Sequence, residues 1–292
     1  MFRETLKLAL QAIRINPLRS FLTVLGIVIG VGAVIAMVTI GSGTTAQVTA
    51  DIAKLGTNLL VLRPGQARRG PGGVREAAPA FDLKDVTAIE QQIDGVRMVA
   101  PTAQHNVKAI YGNSNWSTTV IGTDTRYLGT RDWSLASGRA FYEGELRAGQ
   151  MVCLIGETVR NTLFGRSAPV GEVMRLDKLS CRIIGLLRAK GVSSFGMDQD
   201  DLVLIPLRAL QRRIAGNQDT TAIYIAVQDG VGTEKVQRDI ELLMRERRQI
   251  SLGEDDDFNV LDMKEITSML TGITGVLTGL LGAVAAVSLL VG

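Results

Sequence analysis

The chain has 292 residues, 46% of them apolar and 21% charged, with a formal net charge of +3. That length accommodates a membrane part together with a soluble domain of ordinary size. Two cysteines and one histidine are too few for a four-ligand zinc or iron–sulfur site, and the basic residues are scattered without interleaved aromatics, which excludes a nucleic-acid-binding face.

Residues 1–15 place Phe2, Leu6, Ala9, Leu10 and Ile13 at helical spacing, opposite Arg3, Glu4, Lys7, Gln11 and Arg14. The pattern predicts an amphipathic helix, basic on its polar face, resting on membrane lipid at the cytoplasmic surface. Asn16-Pro17 ends it, because proline has no N–H to donate and disfavours helix at the residue before it. Residues 21–40 then carry no charge. A hydrocarbon core of about 30 Å is crossed by roughly 20 apolar residues in a helix, so this run reads as a membrane span, within a segment of residues 16–43. Arg3, Lys7, Arg14 and Arg19 precede it and keep the N-terminus in the cytoplasm. A cleavable signal peptide has an apolar run of about 7–15 residues near the N-terminus. Here the run is longer and starts at residue 21, so a retained anchor is expected. Gly26 and Gly30 stand four apart, as do Gly32 and Ala36, a spacing at which small residues let another helix approach closely.

Beyond Gly41-Ser42-Gly43 a polar stretch continues as helix and is expected to form a stalk. Residues 58–62, NLLVL, read as a short buried strand, and residues 64–80, rich in Gly, Pro, Ala and Arg, as a mobile loop. Asp82 is the expected N-cap of a helix with Leu83, Val86 and Ile89 on one face, stopped at Asp94-Gly95 and followed by a strand over residues 96–99. A matching unit appears later: a strand over 222–227, a helix capped by Thr233 with Val236, Ile240 and Leu243 inward, and a strand over 258–261. The two halves, residues 44–106 and 216–264, predict one split α/β sandwich.

Between them, residues 107–215 show short strands near 107–111, 117–121, 152–155, 173–176, 182–187 and 202–205, with turns at Gly112-Asn113 and Asp177-Lys178. Helices over 157–163 and 207–214 complete an inserted, strand-rich lobe. The opposite charge runs at 245–248 and 254–257 read as solvated loop, since four consecutive acids lack the alternating ligands and sixth-position glycine of a calcium loop. Residues 266–292 again carry no charge and make a second span, assigned to residues 265–292, that stops on Gly292 while still apolar. Spans normally continue to a polar anchor, so the chain is expected to be cut short within its membrane part. The fold class is therefore an α+β membrane protein: an amphipathic N-terminal helix and two spans flanking an external domain.

No G-x-x-x-x-G-K-[ST] phosphate cradle and no G-x-S-x-G nucleophile elbow occur, so neither ATP hydrolysis nor hydrolase chemistry has a motif in this chain, and no catalytic, cofactor-binding or metal-binding residue is nominated. His105 reads as a structural histidine. Cys153 and Cys181 both fall in predicted strands of the external lobe, in a compartment that permits disulfides. The sequence does not fix their α-carbon separation, so a bonded pair and two free thiols both stand.

Five stretches occur in one order: NPLRSFLTVLGIVIGVGAVIAMVTIGSG at 16–43, GTNLLVLRPG at 56–65, LASGRAF at 135–141, PVGEVMRL at 169–176 and DDLVLIPL at 200–207. Together they resemble the MacB/FtsX-type ABC transporter permeases, most closely the MacB branch. The resemblance implies four membrane helices, of which this chain holds two, with the external, periplasmic domain between the first and second. It implies a homodimer in the bacterial inner membrane, a cytoplasmic ABC ATPase that carries ATP and Mg, and a periplasmic adaptor with an outer-membrane channel. It also implies a mechanical role, in which ATP-driven closure of the dimer moves the external lobes and drives a substrate outward. Two alternatives are a lipoprotein-releasing or FtsX-type cell-division permease, and a two-span membrane-anchored sensor.

Overall fold

The computed structural model describes residues 17–55, 58–68, 75–193, 198–251, 253–266 and scattered helical positions between 268 and 283. The amphipathic helix expected over residues 1–15 lies outside them, as do residues 69–74 of the expected loop and most of the second expected span. The chain divides into two compact units, Met1–Ala50 with Thr267–Gly292, and Asp51–Ile266.

Helix α1, Pro17–Leu55, runs for 39 residues. It opens on the proline, whose missing N–H would have no partner at a helix start, and carries the apolar run and the polar segment after it as one element. Phe21, Leu22, Val28, Ile29, Ile35 and Ile40 are each more than half exposed in the single chain. Thr39, one of the two threonines of the run, returns its hydroxyl to the Ile35 carbonyl at 2.8 Å and presents no unsatisfied donor. Among the described residues no helix is long and apolar enough to cross a membrane. Positions 19, 23, 33, 34, 37 and 38 of this stretch lie outside the described side chains, so the span rests on the sequence.

The second unit is built on strands β1 (Leu59–Pro64), β2 (Gln66–Arg68), β3 (Arg75–Ala77), β4 (Val96–Tyr111), β5 (Ser114–Thr123), β6 (Leu135–Gly138), β7 (Val152–Ile155), β8 (Val173–Leu176), β9 (Leu179–Leu187), β10 (Leu202–Pro206), β11 (Ala222–Val227) and β12 (Phe258–Asp262). Its helices are α2 (Leu83–Gln92), α3 (Arg126–Thr130), α4 (Glu143–Ala148), α5 (Glu157–Phe164), α6 (Leu207–Leu210) and α7 (Thr233–Arg247). Among the described residues ten strands form one sheet in the order β12-β1-β11-β4-β5-β10-β7-β9-β6, with β8 pairing β4 and β9.

Strand β4 joins the two ends of this sheet. Its first residues pair with β11, from Val96↔Val227 to Thr102↔Ala222, and its last nine with β5, from Ala103↔Gly122 to Tyr111↔Ser114. The sequence pattern suggested two separate short strands here, over 96–99 and 107–111, where the chain forms one. Lacking an N–H, Pro101 must face Ile223 as a non-hydrogen-bonded pair, and pairing with β5 begins only at Ala103, so the proline removes no ladder bond.

On one side of the β12-β1-β11-β4 section, α2 and α7 bury Val86, Ile89, Val236, Ile240 and Leu243 against Leu60, Leu62, Ile223 and Ile225. Helix α2 starts as the sequence predicts: Asp82 Oδ1 accepts from the Asp85 N–H at 2.9 Å, and Asp85 Oδ2 accepts from the Asp82 N–H at 3.0 Å. Helix α7 does not. Its N-cap is Gly232, in extended conformation, while the expected cap Thr233 is the first helical residue, buried, with no partner for its hydroxyl. Leu83, expected on the buried face of α2, is 45% exposed.

Strands β7, β9 and β10 are packed on both sides. Along β10, Val203 and Ile205 face α5 and α6, while Leu202 and Leu204 face Tyr127, Trp133 and Phe141, which is why LVLIP reads as a continuous apolar run. Two-residue turns fall where the sequence puts them, Gly112-Asn113 between Tyr111 and Ser114, and Asp177-Lys178 between Leu176 and Leu179. The helix expected over 207–214 is a single turn, α6, followed by a π-helical segment Gln211–Ala215.

Two further expectations need correction. Part of the loop over 64–80 is an antiparallel pair, Gln66↔Ala77 to Arg68↔Arg75, since backbone pairing needs no large apolar side chain. The charge runs at 245–248 and 254–257 are not simply solvated: Arg245 pairs with Asp256, and Arg248 with Asp257 at 2.8 Å. Arg248 also donates to the Pro79 carbonyl at 2.9 Å and lies 4.5 Å from the Phe81 ring centre, tying the end of α7 to the entry of α2.

Candidate functional site

Of the helix positions singled out in the sequence, Gly30 is buried, Gly26 is half-buried, and Gly32 and Ala36 are exposed. A Cβ added at Gly26 or Gly32 would meet no described atom within 4 Å. Close packing at these two would therefore need a further helix.

Cys153 on β7 and Cys181 on β9 come together, although 28 residues separate them. The two strands run parallel and adjacent, both side chains are fully buried in the core under α5, and the α-carbons are 6.1 Å apart. That separation lies within the range a disulfide needs. His105 is exposed on β4. Among the described residues no group of three or more His, Cys, Asp or Glu side chains is arranged to hold a metal ion.

The sequence reading nominates no cavity, yet the second unit contains an open cleft of about 490 Å³. Leu83, at the start of α2, lines one side; Glu143, Leu146 and Arg147 of α4, with Leu207 and Arg208 of α6, line the other. Pro101 of β4 and the segment from Thr123 to Arg126, leading into α3, complete it. Thr123 is buried and donates its hydroxyl to the Pro101 carbonyl at 2.9 Å, which pins the end of β5 to β4.

The LASGRAF stretch sets the position of α4. Gly138, at φ +81, sits where a Cβ would lie 2.3 Å from the Ile184 carbonyl oxygen, so only glycine lets β6 approach β9 this closely. The next residue, Arg139, grips Glu145 through two bonds, Nη1 to Oε2 at 2.9 Å and Nη2 to Oε1 at 2.6 Å, with its guanidinium 3.9 Å from the Tyr142 ring centre. Glu145 Oε2 also accepts from the Tyr142 N–H at 2.8 Å, closing the first turn of α4. The Arg139 bond holds the Glu145 carboxyl below the usual carboxylate range.

The three arginines lining the cleft are not equivalent. Arg126 is committed, donating to Asp124 Oδ2 at 2.6 and 2.9 Å and to both Glu90 oxygens at 2.9 and 3.0 Å. Arg208 donates through Nη1 to the Arg147 carbonyl at 2.9 Å, joining α6 to α4. Among the described residues the Arg147 side chain has no hydrogen-bond or ion-pair partner, and the carboxylate of Glu143 is the acidic group on the same helix face. Scattered in sequence at 126, 147 and 208, these residues form no motif.

A second cationic cluster closes the segment after β9. Lys190 donates from Nζ to the Arg131 carbonyl at 2.6 Å and lies 5.1 Å from the Trp133 ring centre. Trp133 Nε1 donates to the Arg188 carbonyl at 3.0 Å, and the buried Asp200 carboxylate accepts from the Lys190 and Gly191 N–H groups at 2.9 and 2.8 Å. Burial and the nearby Arg131 push the Lys190 ammonium down to about 8. The arrangement clamps a loop; it presents no reacting group to a cavity.

The family model for the MacB-like periplasmic core domain matches residues 20–243. The chain is 36% identical over 292 residues to the macrolide export ATP-binding/permease protein MacB of Bdellovibrio bacteriovorus, covering 99% of this chain and 45% of that protein. It is 37% identical over 278 residues to the protein of the same name from Chlorobium luteolum, covering 95% of this chain and 42% of that one. The chain thus spans less than half the length of these relatives. Among solved structures, the periplasmic region of MacB from Actinobacillus actinomycetemcomitans is similar with a TM-score of 0.61 at 18% identity, over 75% of this chain and 95% of that one. The extracellular domain of the noncanonic ABC-type transporter YknZ from Gram-positive bacteria is similar with a TM-score of 0.55 at 17% identity, over 70% of this chain and all of that one. At these identities the likeness is one of fold.

Proposed function

Because the chain belongs to the family of MacB-like periplasmic core domains, we propose that it is the permease part of an ABC-type export system, coupling ATP hydrolysis on an ATP-binding partner to outward movement of a substrate through its external domain. The family match over residues 20–243, which takes in both the first apolar run and the external fold, is the observation that carries this reading. In it residues 21–40 cross the inner membrane with the N-terminus in the cytoplasm, the second apolar stretch returns, and the Asp51–Ile266 unit lies in the periplasm. In this reading ATP and Mg act on a cytoplasmic ABC ATPase outside these residues, which carry no phosphate-cradling motif; the relatives' names join ATP-binding and permease in one protein.

A mechanical role needs a stiff connection, and the unbroken helix over Pro17–Leu55 supports this reading. In this reading the functional form is a homodimer whose external lobes engage a periplasmic adaptor and an outer-membrane channel. Gly26, Gly30, Gly32 and Ala36 are its helix-packing positions. Gly30→Leu should lower dimer crosslinking and transport together; unchanged values for both would remove that role.

The test of the function is ATPase activity of the complete permease, reconstituted with its ATP-binding partner, with and without a candidate adaptor. Stimulation that requires both is the expected result. Failure to associate with any ATP-binding subunit would overturn it and favour the two-span sensor.

A further inference from the structure

We infer that the cleft between α2, α4 and α6 is a binding site for a small amphiphile with a single anionic head, held by Arg147 and Arg208 while its apolar part lies against Leu83, Leu146 and Leu207. The volume of about 490 Å³ falls within the range of about 300–1,000 Å³ typical of small-molecule sites. Its lining divides by chemistry: leucines contributed by three separate helices, and arginines contributed by α3, α4 and α6.

Charge pairing selects which arginines are available. Arg126 is neutralised by Asp124 and Glu90 and acts as part of the wall. Arg208 uses one nitrogen on a backbone carbonyl, which fixes its guanidinium without neutralising it. Arg147 is exposed and has no described partner, so two cations face the single carboxylate of Glu143 at this side of the cleft. A guanidinium presents a planar fork of donors that fits a carboxylate or phosphate in bidentate fashion.

Leu83 points the same way. It is the first residue of a well-capped helix whose buried face takes Val86 and Ile89, yet it stands 45% exposed on the cleft instead of in that core. An apolar ligand tail would cover it, and taking that apolar surface out of water favours binding. The binding stands on the cleft alone; only its meaning as a cargo site rests on the export reading.

The test is isothermal titration of the full chain in lipid nanodiscs with hexyl phosphate, blanked against empty nanodiscs. Hexan-1-ol and inorganic phosphate probe the tail and the head separately. Saturable binding with a dissociation constant below about 1 mM is expected, with either control at least about tenfold weaker. Arg147→Ala should weaken hexyl phosphate about tenfold and Leu83→Asp comparably, while Arg175→Ala, at an exposed position of β8 outside the cleft lining, leaves it unchanged. Each variant is first checked for wild-type thermal unfolding, and Arg147→Gln replaces any that fails. No binding, inorganic phosphate as tight as hexyl phosphate, or equal binding by the Arg147 and Leu83 variants would overturn the inference. These outcomes are separable from failure of the export reading: adaptor-dependent ATPase stimulation without hexyl phosphate binding sinks the site alone, and binding without any ATPase partner sinks the export role alone.

Discussion

Four strands, β12, β1, β11 and β4, bury their main core under two helices that arrive from opposite ends of the external unit's sequence, α2 near residue 83 and α7 near residue 233. The strands from β5 to β10 belong to one contiguous stretch, in which β5, β7, β9 and β10 carry apolar side chains on both faces. The first core is assembled only when distant segments meet, and it is tied at its margins by the Arg247–Asp85 pair at 2.8 Å and the Arg248 contacts to Pro79 and Phe81. The second is local and adds a cysteine pair inside its core. Loop closure between distant segments costs more entropy than closure within a contiguous stretch, so the split core should be the more easily opened of the two.

The largest effect should come from breaking the split core. Ile240→Ala removes a fully buried side chain of α7 facing Ile223 and Ile225 and should cost about 2–5 kcal/mol. Hydrogen exchange should then show lost protection in α2 and α7 with β7 and β10 still protected; uniform loss across all four would merge the two regions into one cooperative unit. Next is Gly138→Ala, in the contiguous region. It forces a methyl against the Ile184 carbonyl at a positive φ and should cost about 2–4 kcal/mol, read as a lowered denaturation midpoint with β6 and β9 deprotected first.

The cysteine pair sharpens the contrast. We propose that Cys153 and Cys181 are bonded in the exported domain, and Cys153→Ala with Cys181→Ala should lower stability by about 3 kcal/mol relative to the oxidised chain. Two free thiols on labelling the denatured, non-reduced protein would remove the bond. The smallest effect is one of pH. The Lys190 amine, pushed down to about 8, binds its proton less tightly in the folded chain than in the unfolded one. Between that value and the ordinary lysine value of about 10.4 the unfolded chain holds more protons, so stability should rise with pH across this window. Lys190→Met should flatten that rise, as read from denaturation midpoints at pH 7.5, 9 and 10.5.

The elements that sequence made legible are those fixed by local rules. Asp82 marks a helix start, Gly112-Asn113 and Asp177-Lys178 mark tight turns, and Val236, Ile240 and Leu243 mark a buried face. What sequence missed depended on distant partners. The strands expected over 96–99 and 107–111 are one long β4, whose continuity depends on pairing first with β11 and then with β5. The arginine and acid runs read as solvent-facing because their mutual pairing is a tertiary fact. The cleft was invisible for the same reason: Leu83 reads as a core position, and Arg147 and Arg208 have no neighbours in sequence that announce a site. Short helices α3 and α4 were also missed, since five and six residues give too little periodicity to register.

The measurement that bears most directly on the account is the sidedness of the two regions in cells. A cysteine placed at Asn113, in the exposed turn between β4 and β5, and another at Lys7 would be probed with a membrane-impermeant maleimide, before and after opening of the inner membrane; the native cysteines are fully buried and stay silent. The account predicts that position 113 labels in intact spheroplasts while position 7 labels only after lysis. Labelling of both from the same side would contradict a permease that spans the membrane with its lobes outside.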